Sequence, residues 1–211
     1  MAGMAAALAF LPVLAVLAPG SACAQDAAQV FIQQDADKTL AILKNSSAGD
    51  EDRAAKIRDL MSSLLDLKRM AMFTLGPAAR TASPADIEAF VAAYKEFALA
   101  NYSSELSGYM GQSLRITGST QRAPGDYVVN AVVTDPAHRG DPPVSVSFRV
   151  LDEGGGKLAL VDASVEGVWF TLAQRDDFTG FLGQNNGDVT KLIAHLKDLA
   201  AHPKSATATP R

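Results

Sequence analysis

Apolar positions along this chain recur first at helical spacing, then in alternation, then at helical spacing again. After an apolar run from Ala5 to Ala18, Ala27–Lys44 reads as a first helix, ended by the polar stretch Asn45-Ser-Ser-Ala-Gly49. Asp50–Leu67 reads as a second, with Ile57, Leu60, Met61, Leu64 and Leu65 on one stripe. A short helical piece follows through Met70, Met72 and Phe73 and closes at Gly76-Pro77. The next helix has the clearest start: Ser83 suits the N-cap, Pro84 the first helical position, and Asp86 the capping acid. Ile87, Phe90, Val91, Tyr94, Phe97, Ala98, Tyr102 and Leu106 then follow at three- and four-residue spacing, to about Gly108.

The period then changes to two. Leu114–Thr117 is a short candidate strand, and Tyr127–Thr134 is rich in β-branched and aromatic residues. Val144, Val146, Phe148 and Val150 alternate with Ser145, Ser147 and Arg149, which predicts one buried face. Asp152–Gly156 reads as a hairpin turn into a strand at Leu158–Val165, and Thr171–Leu182 and Asp188–Ala201 read as closing helices. This order predicts an α+β domain with a strongly curved antiparallel sheet of about four strands wrapped by helices, not a parallel doubly wound sheet.

The bulk properties narrow the picture. The apolar run ends at Pro19-Gly20 and is followed by Ala22-Cys23-Ala24, a small-residue pattern that predicts an export signal over residues 1–24, cleaved after Ala24. Cleavage removes the single cysteine, so no disulfide or thiolate metal site is expected and the fold rests on core packing. Residues 25–202 then form one domain, and the polar, proline-flanked segment 203–211 is expected to be a disordered tail. The formal charge of −4, with no cluster of Lys and Arg, argues against nucleic acid and against adhesion to anionic membrane surfaces. A lipid partner would have to be held by its apolar part.

Chemistry-bearing motifs are few. The three histidines, His138, His195 and His202, lack metal-ligand spacing, and surface roles are expected. No nucleophile elbow, phosphate loop or dinucleotide fingerprint is present, and no metal or cofactor is expected. Asp162 and Glu166 flank a strand end. A buried Asp162 could act as a general base, although a structural hydrogen bond or ion pair is the favoured reading. The large aromatic and Met side chains suit either an ordinary core or a ligand cavity, and periodicity does not separate the two.

Three stretches resemble the MlaC, or toluene-tolerance, family of Gram-negative bacteria. They are Asp66-Leu-Lys-Arg69-Met-Ala-Met-Phe-Thr-Leu75-Gly76; Ala82-Ser-Pro84 with Phe90, Tyr94, Tyr102, Leu106 and Tyr109; and Val165-Glu166-Gly167-Val168 with Gln174-Arg175-Asp-Asp-Phe178, Gly183 and Leu192-Ile193 to Leu196. Trp169 stands where the family usually has Ser, and Phe181–Gly187 is closer to its hopanoid-associated branch. The resemblance implies an NTF2-like fold with an internal apolar cavity for acyl chains. It implies a non-enzymatic periplasmic carrier of a phospholipid or hopanoid-type lipid. The partners it implies are an inner-membrane ABC transporter complex and an outer-membrane lipoprotein complex.

On that reading the cavity walls are expected from Val144, Val146, Phe148 and Val150 of the sheet. Phe90, Tyr94, Phe97 and Tyr102 are expected from the long helix, and Met70 and Phe73 from the short one. Val165, Val168, Trp169 and Phe170 are expected near the strand-to-helix junction. Two rivals remain: an isomerase-like enzyme using Asp162 beside an apolar pocket, and a structural adaptor with a solid core.

Overall fold

The computed structural model describes residues 20–45, 49–107, 111–138 and 140–203. Residues 1–19 of the expected signal and 204–211 of the expected tail lie outside the described residues. The helices are α1 (Gly20–Lys44), α2 (Asp50–Leu64), α3 (Leu67–Leu75) with a 3₁₀ turn at Gly76–Arg80, and α4 (Pro84–Ser107). The strands β1 (Ser113–Ala123), β2 (Asp126–Thr134), β3 (Val144–Asp152), β4 (Leu158–Val165) and β5 (Val168–Trp169) follow. Helices α5 (Phe170–Gln184) and α6 (Val189–Ala201) close the chain. None of the described helices is long and apolar enough to cross a membrane.

The strands form one antiparallel meander in the order β1-β2-β3-β4-β5. Irregularities between Ile116 and Gly118 and opposite Arg149/Val150 bend it, because a bulge adds local twist. The fifth strand, beyond the expected four, arises from a two-residue turn. Glu166 (φ 50°) and Gly167 (φ 81°) both take positive φ, as the tightest hairpins require, and Val165 pairs with Val168. Strand β1 extends well past Thr117. Its outer half, Gly-Ser-Thr-Gln-Arg, lacks apolar alternation because it lies at the sheet edge, half exposed.

The helix expected over Asp50–Leu67 stops at Leu64, and the short helix after it begins at Leu67. Leu65 turns extended (ψ 132°) and bridges to Leu160, where the Asp66 amide donates to the Leu160 carbonyl at 3.0 Å. Asp66 then caps α3, accepting from the Arg69 amide at 2.9 Å and from Arg69 Nε at 2.9 Å. Burial opposes the charge on Asp66, but these Arg69 contacts outweigh it and hold the carboxyl below its ordinary range.

Apolar burial falls into two cores. The larger joins α3, α4, α5 and α6 around Met70, Phe90, Tyr94, Phe97, Phe178 and Leu192. Its rings pack edge to face, with centroids of Phe90, Tyr94 and Phe97 each 6.0–6.5 Å from that of Phe178. The smaller lies between α1 and the concave sheet face and comprises Ala28, Ile32, Tyr127, Val129, Val150 and Leu160.

Candidate functional site

The two cores differ in how completely they fill. The helical core closes on itself. Beside the smaller one, α1 and α2 stand off the sheet and leave a cavity of about 380 Å³, within the size range of ligand pockets (~300–1,000 Å³). Helix α1 supplies Ile32, Asp35, Ala36, Thr39, Leu40 and Leu43, one face at three- and four-residue spacing. Helix α2 adds Met61 and Leu64, and the end of α4 adds Glu105 and Leu106. Leu114, Val133, Phe148 and Leu160 form the sheet wall, with Gln112 and Ser113 at the entry to β1.

Most of these apolar side chains are only half-buried. They face inward without being covered, as expected where packing leaves room. Polar groups on the lining are mostly engaged by the protein. Asp35 accepts from Lys38 Nζ at 2.7 Å, and Thr39 Oγ1 donates to the Asp35 carbonyl at 2.8 Å. Gln112 donates to Asp135 at 3.2 Å, and Ser113 pairs with the Thr134 hydroxyl at 2.7 Å. Glu105 is exposed and has no hydrogen-bond or ion-pair partner among the described residues, and desolvation beside the apolar lining pushes its carboxyl above the ordinary range. A second cleft, of about 290 Å³, mixes the charged Asp66, Lys68, Lys95, Glu153 and Lys157 with leucines such as Leu65 and Leu99, and those charges make it a poor place for hydrocarbon.

Of the residues expected to wall a cavity, Phe148 stands on this one. Val150 lies in the small core that adjoins it through Ile32 and Leu160. Met70, Phe90, Tyr94 and Phe97 are in the helical core. Tyr102 stacks on Phe170 at 6.3 Å, one helical turn before the lining residues Glu105 and Leu106. Phe73 is partly exposed beneath the Arg175 guanidinium, 5.1 Å from its ring centroid. The β3 face is graded: Val144 is exposed, Val146 half-buried and Val150 fully buried. Val165 and Val168 are exposed at the β4–β5 turn, and half-buried Trp169 is the residue that precedes α5.

Asp162 is buried and engaged. Its carboxylate accepts from the Ala163 amide at 2.9 Å, the Thr171 amide at 3.0 Å and the Thr171 hydroxyl at 2.6 Å. It thereby caps the first turn of α5 from the neighbouring strand, where a negative charge is favoured. Glu166 accepts from the Ser145 amide and fixes the β4–β5 turn against β3. His195 stacks on Phe181 at 4.6 Å, and His138 and His202 are exposed.

The sequence pattern of the MlaC protein family matches residues 33–198, from within α1 to within α6. The chain belongs to the MlaC family. Its solved relatives include a phospholipid-binding protein from Ralstonia solanacearum in complex with a phospholipid. The two superpose with a TM-score of 0.68 at 20% identity, over 85% of this chain and 97% of that one, which establishes a shared fold. Every residue lining the cavity except Ile32 falls within the family match. The MlaC stretches themselves form a clasp between helices. Gly76, at φ 59°, leaves room for Arg175, whose Nε would lie 3.1 Å from any added Cβ, and Arg175 in turn covers Phe73. Gln174 accepts from the Tyr94 hydroxyl at 2.8 Å. Much of what made the family legible therefore lies beside the cavity, not on its walls.

Proposed function

We propose that this protein is a periplasmic lipid carrier that takes the hydrocarbon part of a phospholipid, or of a hopanoid-type lipid, into the cavity between α1, α2 and the sheet. The observation that carries the reading is that cavity: apolar, about 380 Å³, and walled by side chains left half-covered. Membership of the MlaC family and the shared fold with a phospholipid-bound relative support it. The predicted export signal supports the periplasmic setting.

Hydrocarbon in water explains why a carrier is needed. At about 0.8 kcal/mol per methylene, a lipid with two chains of about fifteen methylenes meets a barrier on the order of 24 kcal/mol to leave a bilayer unaided. A dry cavity offsets the part of that cost belonging to whatever it encloses. Release then calls for a partner that opens the cavity. The proposed partners are an inner-membrane ABC transporter complex and an outer-membrane lipoprotein complex. An enzymatic reading has little support, because both oxygens of Asp162 are spent on holding α5.

Transfer between vesicles tests the function. With donor and acceptor vesicles separated by a membrane permeable to the protein alone, the chain should accelerate lipid appearance in the acceptor in proportion to its concentration. Transfer no faster than without protein would overturn the carrier reading.

A further inference from the structure

The charge on the cavity's lining is one-sided. Among the described residues it holds two carboxylates, Asp35 and Glu105, and no Lys, Arg or His. Asp35 is neutralised by Lys38, which reaches in from solvent at 2.7 Å. Asp135, just outside the lining, is held by Gln112 and faces His138 at 3.2 Å. Glu105, exposed to solvent near the end of α4 on the border of the apolar space, is alone among these acids in having no counter-charge in the described protein. The nearest basic side chain along the adjoining strand, Arg115, is exposed and alternates away from the cavity-lining Leu114.

Resting on the carrier reading above, we infer that the rim selects lipids whose head group bears an ammonium, with Glu105 as its counter-ion, over lipids with a purely anionic head. An acyl chain inside the cavity brings its head group to the rim. A phosphoethanolamine head can turn its ammonium toward Glu105 and leave its phosphate in water. A phosphoglycerol head has only negative charge to offer beside an uncompensated carboxylate, and like charges at an interface discriminate against the wrong partner.

The test is competition within one sample. The purified chain is incubated with vesicles of equimolar phosphatidylethanolamine and phosphatidylglycerol carrying identical acyl chains, and the bound lipids are extracted and counted by mass spectrometry. We expect about fivefold enrichment of phosphatidylethanolamine, the scale of one partly exposed ion pair. Glu105→Gln should bring the ratio to that of the vesicles, and Glu105→Lys should invert it. The ratio is internal, so a variant that loads less lipid in total still reports it. Loading without preference, or a preference that neither variant moves, overturns the selectivity and leaves the carrier reading standing. Failure of the wild-type chain to load either lipid overturns both.

Discussion

Asp162 shows how one buried carboxylate can look like chemistry and act as structure. Removing it leaves the buried Thr171 amide and hydroxyl without their acceptor. Asp162→Ala should therefore cost about 1–3 kcal/mol of stability, read from chemical denaturation, while lipid bound per folded molecule stays unchanged. Loss of lipid binding without loss of stability would reopen a functional role. Tyr94 and Tyr102 offer a second residue-scale test. Burial raises both phenols, aided for Tyr94 by the neighbouring Tyr102 and Asp162, and brings Tyr102 to about 12 from 10.0. A raised folded value means that the neutral phenol's contribution is complete below pH 10.0 and lost as pH climbs through about 12. The melting temperature should fall across that window, and Tyr102→Phe should flatten the fall. An identical pH profile in the variant would contradict the assignment.

At the scale of elements, what could be read from the sequence is what local chemistry determines. The start of α4 is written in Ser83 and Asp86, which bond each other at 2.7 Å, with the Asp86 amide on Ser83 Oγ at 3.1 Å. The break between α2 and α3 is not local, since Leu160 on a distant strand draws Leu65 and Asp66 out of the helix. The helical core and the cavity wall divide in the same way. Clustered rings at Phe90, Tyr94, Phe97 and Phe178 mark the place where side chains fill space best, and they pack against one another. A void is a property of several elements meeting, and its walls carry modest residues such as Ala36, Thr39, Leu40 and Leu43. The α1 stripe from Ile32 to Leu43 was the available signal, but nothing along α1 alone says whether it faces a core or a hollow. Truncation should expose the difference. Phe97→Ala should cost about 3–5 kcal/mol, as in any closed core. Phe148→Ala, which already borders open space, should cost about 1–2 kcal/mol. Equal losses in denaturant titrations would mean that the two regions are packed alike.

On the scale of the whole molecule, the two regions divide the labour. The α3–α6 bundle, clasped by Arg175, Gln174 and Asp162, is closely packed. The curved meander with α1 and α2 laid across it is the part left hollow. The carrier account stands on hydrocarbon occupying that hollow. Native mass spectrometry of the chain released from its own cells without detergent, beside an Ala36→Trp variant that plugs the α1 wall, measures this most directly. The account predicts a lipid-sized mass on the wild-type protein that the variant lacks. A bare wild-type chain, or the same lipid mass on both, would contradict it.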